Sequence, residues 1–161
     1  QYLTRKIKAS VAIHYGCHFL KPTNIRGLDS SESPRILEDF VEALGGINLE
    51  FKNKYTCCGA GGGIKAAFAP LSNKIFAEKM EEIEQVHPDI ILDICPFCHL
   101  QFDGLQSVTN EKEGTKYDYP VLHLSQLLAF CMGMDQEFLG LKYQAAGKAY
   151  LLGETTLTEE A

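Results

Sequence analysis

The chain has 161 residues, and its 45% hydrophobic content, well mixed with glycine and charge, suits one globular domain that buries a core without cross-links. Fifteen basic against twenty-one acidic residues leave a formal charge of −6, and no basic block or basic and aromatic tract offers a footing for a phosphate backbone, so nucleic acid is not an expected partner. No run of about 18–20 apolar residues is present to span a membrane.

Residues 1–8 are read as an N-terminal extension, 9–150 as one domain, and 151–161 as a loose acidic tail. The opening QYLTRKIKASVAIHYGC puts basic residues before an apolar stretch, but that stretch is short, holds His14 and lacks a small-residue cleavage pattern. No signal peptide is read, and a cytoplasmic location is expected. Val11–Tyr15 reads as a buried strand that delivers Gly16 and Cys17 at its carboxyl end. Ser33-Pro34 then opens a helix, Ser33 as cap, with Ile36, Leu37, Phe40, Val41 and Leu44 on one face until Gly45-Gly46 stops it.

Ile47–Phe51 alternates like a strand and leads to Cys57-Cys58 and the glycines of CCGAGGG. A helix over about 70–86 buries Ile75, Phe76, Met80 and Ile83. Asp89–Ile94 is a strand that delivers Cys95; residues 107–118 read as a polar surface loop; Tyr119–His123 is a fourth strand, followed by a helix over 125–132. Strands separated by helices imply right-handed βαβ units, hence an α/β fold with a mainly parallel sheet flanked by helices. Sites in such sheets gather beyond the carboxyl ends of the strands. Cys17, Cys57-Cys58 and Cys95/Cys98 each follow a strand, so five sulfurs are expected at one rim.

Six cysteines could pair as disulfides, but secreted disulfide scaffolds are small and poor in core, unlike this chain. Metal or redox chemistry fits a CC pair and a CxxC pair better. The glycine run lacks the Lys-Ser/Thr ending of a P-loop and the GxGxxG order of a dinucleotide fingerprint. Cys95-Pro-Phe-Cys98 sets two thiols one helical turn apart, Pro96 in the first turn leaving the amides of Phe97, Cys98 and His99 free to face an anion. Zinc takes four ligands and would leave one thiol over, whereas a multi-iron cluster can use all five. Glycines at 59, 61, 62 and 63 would let backbone N–H groups, those of Gly59 and Gly61 included, approach such a cluster. Cys131, in an apolar helix, reads as a small buried hydrophobe, and His14 and His123, in or at the end of strands, as structural.

The words YGCH (15–18), CCGAGGG (57–63), CPFCHLQFD (95–103) and PVLHLSQLLAFCMG (120–133) resemble the cysteine-rich CCG domain found in the B subunit of heterodisulfide reductase, and its second, C-terminal copy in particular, over roughly residues 9 to 141. The resemblance implies a Rossmann-like CCG domain and a noncubane 4Fe-4S cluster held by Cys17, Cys57, Cys58, Cys95 and Cys98. It implies an oxidoreductase that splits a disulfide substrate between two such domains, with a second CCG domain or sister subunit, a ferredoxin-like iron–sulfur subunit and a flavin subunit as partners. His18, Lys21 and His99, beside ligand cysteines, are then candidates for orienting substrate or donating protons, the alternative for the histidines being a hydrogen bond that holds a ligand. Two other readings stay open: a zinc-binding structural or interaction domain, and a metal-free thiol–disulfide switch.

Overall fold

The structure, a computed structural model, describes residues 2–147, Tyr150 and the backbone of Glu159–Glu160; the rest of the expected acidic tail lies outside the described residues. In chain order the elements are β1 (Arg5–Lys6), β2 (Ser10–His14), α1 (Cys17–Leu20), α2 (Thr23–Arg26), α3 (Ile36–Ala43), β3 (Ile47–Leu49), α4 (Ile64–Ala67), α5 (Ala69–Glu84), β4 (Ile90–Asp93), α6 (Pro96–Glu113), β5 (Val121–His123), α7 (Leu124–Cys131) and the short β6 (Glu159–Glu160). The main sheet is parallel throughout, in the order β3-β2-β4-β5, and β1 pairs with β6 separately. This is the expected α/β fold.

Side-chain alternation along the strands divides the core in two. Val11, Ile13, Ile90, Leu92 and Leu122 turn to one face, where Leu37 and Val41 of α3 and Leu127 and Phe130 of α7 cover them. Ala12, Ile91 and Val121 turn to the other, under Phe76, Met80 and Ile83 of α5 and Phe102 of α6. The chain leaves β2 in one direction and, after β3, returns to the other side of it. The strand order therefore reverses between β2 and β4, which makes that gap the crevice-forming point of the sheet. Cys17 follows β2 and Cys95 follows β4.

Three sequence readings need correction. Ser33 does not cap α3: the Asp29 carboxylate accepts from the amides of Arg35 (2.6 Å) and Ile36 (2.7 Å), and these bonds hold its pKa below the usual carboxylate value. The helix starts at Ile36, and Phe40, placed on the buried face, is 40% exposed. Residues 107–113 are helix rather than loop. Their inward face is polar because it clamps main chain. Gln106 bonds both the amide (2.8 Å) and the carbonyl (2.9 Å) of Tyr119, and Asn110 does the same for Tyr117 (both 2.8 Å). These amide forks guide the chain into β5 and satisfy its otherwise unpaired backbone.

Candidate metal centre

Each cysteine loop has its own local reason for its path. Gly16, between β2 and Cys17, has φ +60°, and a Cβ there would lie 2.9 Å from Cys95 Cβ. The glycine is thus what lets the first and third cysteine loops come together. Gly59 follows Cys58 with φ +88°, and a Cβ there would meet the Ser72 carbonyl at 2.8 Å and Ile75 Cβ at 3.2 Å, so α5 packs flush under the CC loop. Gln101 fastens the same loop from α6, its amide donating to the Cys58 carbonyl (3.2 Å) and to Ser72 Oγ (3.0 Å). Lys79, 2% exposed, donates its ammonium to the carbonyls of Asn53 and of Lys54 (3.4 Å). Burial pushes its pKa down to about 8, against the pull of the Cys58, Cys57 and Cys98 charges.

Gly16→Ala is expected to cost about 2–4 kcal/mol, the left-handed backbone and the contact with Cys95 both counting. Urea unfolding of the reduced, metal-free chain measures it, and an unchanged midpoint would mean the two loops do not approach as described.

Cys17, Cys57, Cys58, Cys95 and Cys98 all line one cavity of about 500 Å³, together with His18, Ala60, Gly61, Gly62, Gly63, Lys65, Ala66 and Phe97. All five are free thiols. The sulfurs of Cys58 and Cys98 lie 3.2 Å apart, so the fold brings thiols of two different loops into direct contact. Hydrogen bonding between them splits the pair, pulling Cys58 toward thiolate and driving Cys98 toward thiol. Burial raises the Cys17 pKa, and the charges of Cys57 and Cys58 raise it further. Five sulfurs crowded on one cavity, with Cys17 and Cys98 held toward the neutral thiol, suit a cationic core, which binds thiolates and removes their repulsion. The donor set fits an iron–sulfur cluster or another thiophilic metal centre.

The remaining predicted residues are distributed unevenly. His18 is exposed at the cavity wall, Gly61 lines it, and Gly59 instead gives its amide to Cys57 Sγ (3.3 Å) while packing on α5. Lys21 lines a smaller cleft behind Cys17 with Tyr15, Lys54 and Tyr55. His99 does not line the cavity and bonds Asp93, Nδ1 to Oδ2 at 3.0 Å; burial lowers its pKa, but the bond and charge of Asp93 outweigh this and leave it raised. Its amide, expected to face an anion, closes the first turn of α6 on the Cys95 carbonyl (2.9 Å). His123 caps α7 through reciprocal bonds with Ser125 and Gln126, and Cys131 is buried in the opposite core.

His14 departs from its sequence reading. It ends β2 on the α5/α6 face, and a nitrogen of its ring lies within 4.8 Å of the Cys58 and Cys98 sulfurs, making a group able to hold a metal ion. The available signal was alternation: His14 shares the parity of Ala12, on the side of the sheet where the thiols converge.

A family profile described as "CCG: Cysteine-rich domain" matches residues 11–103. The chain belongs to the CCG cysteine-rich domain family. Over 145 residues this CCG domain is 43% identical to the B subunit of the ferredoxin:CoB-CoM heterodisulfide reductase of Methanosarcina mazei, covering 90% of this chain and 48% of that protein. An uncharacterized iron–sulfur protein of Methanococcus maripaludis is 27% identical over 124 residues, or 77% of this chain and 24% of that one. A hypothetical protein from Helicobacter pylori shares the fold, with a TM-score of 0.61 and 12% identity over 89% of this chain and 26% of that one. The chain spans about half the length of the heterodisulfide reductase relatives it matches. Among the described residues no helix is long and apolar enough to cross a membrane.

Proposed function

We propose that this CCG domain is the C-terminal half of a protein like the B subunit of heterodisulfide reductase, and that Cys17, Cys57, Cys58, Cys95 and Cys98 hold a noncubane 4Fe-4S cluster. The observation that carries the reading is the five thiols from three loops on one cavity, one more than a closed zinc site uses. When bound, the cluster supplies electrons and a Lewis-acidic iron to a disulfide substrate.

The chain's own groups divide the remaining work. His18, at the wall, meets the substrate and is the first candidate to hand it a proton. Gly61, Gly62 and Gly63, with no atom within 4 Å of the space a Cβ would fill, keep the approach to the sulfurs free of side chains. Lys65, exposed on α4, adds a positive charge at the mouth for the thiolates a reductive cleavage releases. Lys21 and His99 act through position, Lys21 behind the Cys17 loop and His99 by anchoring α6 to Asp93. Cleavage to two thiolates takes two electrons and a receiver for each sulfur. A second CCG domain or sister subunit therefore completes the site, with a ferredoxin-like iron–sulfur subunit and a flavin subunit supplying electrons.

A second reading, a mononuclear zinc site, is favoured by one observation: the donor atoms of His14, Cys58 and Cys98 lie close enough to share an ion. Purification without oxygen separates the two. A brown protein with iron and sulfide near about four each and a paramagnetic signal on oxidation supports the cluster. A colourless protein carrying zinc supports the second reading, and a colourless, metal-free one with titratable thiols sinks both.

A further inference from the structure

His14 is 1% exposed, and neither of its ring nitrogens has a hydrogen-bond partner. Native folds rarely keep such a group, because the water given up in burying it is not replaced. Its protein neighbours do not replace it. Asp93, paired with it across the sheet, gives Oδ2 to His99, and Phe102 sets its ring against the imidazole with centroids 4.9 Å apart. Within 4.8 Å of a ring nitrogen lie the sulfurs of Cys58 and Cys98, both buried on the inner side of the cavity.

Resting on the reading that the five cysteines hold a metal centre, we propose that His14 is a positioning residue of that centre, its imidazole N–H donating to the thiolate sulfur of Cys58. Five cysteines already supply the coordinating atoms, so the imidazole serves as donor rather than ligand. Such a bond fixes the sulfur's lone pairs toward the metal and draws charge from it. A centre with a donor on its thiolate is easier to reduce, and it binds metal more tightly because the ligand is held in place.

Three chains test it: the unsubstituted protein, His14→Leu, which keeps bulk without a donor, and His14→Gln, which keeps an N–H. The reduced, metal-free chains are titrated with Zn²⁺ alone against a chromophoric chelator, and chains loaded with iron and sulfide without oxygen are titrated by spectroelectrochemistry. His14→Leu is expected to lose about 10–100-fold in Zn²⁺ affinity. Its iron centre is expected to hold an oxidised-to-reduced ratio about tenfold higher at a fixed potential, or about 59 mV for a one-electron couple. His14→Gln recovers part of both. Melting of metal-free His14→Leu is expected at or above that of the unsubstituted chain, since an unpartnered polar ring has been removed from the core. Where His14→Leu does not fold, His14→Met, more adaptable in shape, takes its place.

Zn²⁺ affinities within about twofold across the chains overturn the inference, as do equal potentials in chains that load iron. Iron content of the unsubstituted chain decides the cluster reading separately. A chain that takes zinc but no iron ends that reading, and the Zn²⁺ comparison then judges His14 through His14→Gln: partial recovery keeps the donor role, whereas a loss as large as that of His14→Leu makes the imidazole a ligand and overturns it.

Discussion

Cys57→Ser is expected to strip most of the iron from protein prepared without oxygen, leaving the fold intact. Cys57 accepts the Gly59 amide on its sulfur at 3.3 Å and lines the same cavity as Cys17, so it stands where the loop after β2 and the glycine loop meet. A serine hydroxyl is a harder donor than a thiolate and reaches less far, so it matches neither the chemistry nor the position. Because Cys57 is only half-buried, the loss of metal is not a by-product of unfolding. Cys131→Ala is the control: it lies in the opposite core, where burial raises its pKa to about 11, and it should keep full iron while losing some stability. Iron and sulfide analysis with circular dichroism checks both. Full iron in Cys57→Ser would remove the case for five-fold ligation.

Lys54→Met is expected to destabilise the metal-free chain by about 3–5 kcal/mol. Lys54 and Glu38 are each 2% exposed and pair at 2.7 Å, while the Tyr15 hydroxyl donates to the other Glu38 oxygen. The Tyr15 hydroxyl also accepts the Leu37 amide (2.9 Å), and burial, with Glu38 next, raises its pKa far above the usual tyrosine value. The network joins the strand before Cys17, helix α3 and the approach to Cys57. Removing the ammonium leaves the Glu38 carboxylate buried with one hydroxyl for company, which is the expensive way to break a buried pair. Pairing with Glu50, 72% exposed, contributes far less, so Glu50→Gln should cost under about 1 kcal/mol. Denaturant midpoints of the two variants measure the difference, and equal midpoints would show the buried pair contributes nothing beyond the exposed one.

Much of the fold was legible because strong periodic signals coincide with short loops. Val11–Tyr15, Asp89–Ile94 and the helix through Phe76, Met80 and Ile83 declared themselves by apolar content alone, with edges shifted by a residue or two. The second half of α6 did not. Its inward face carries Gln106 and Asn110, which hold main chain rather than exclude water, so apolar periodicity has little to detect there. The start of α3 was hidden for a related reason: its cap, Asp29, lies seven residues before the Ile36 amide it accepts from, across a bend that local sequence does not describe.

By itself the sequence determined the chemistry of this CCG domain: which five sulfurs are present, that each set follows a strand, and that alternating strands and helices carry those ends to one rim. Order of elements along a chain is enough for that, because right-handed crossovers and a parallel sheet leave few other arrangements. Only the tertiary structure decided which sulfurs are neighbours, placing Cys58 against Cys98, and that His14, not His99, faces them. Those choices depend on which face of the sheet a residue takes and how closely α5 and α6 pack beneath the loops. They are contacts between segments far apart in the chain, which no local pattern encodes.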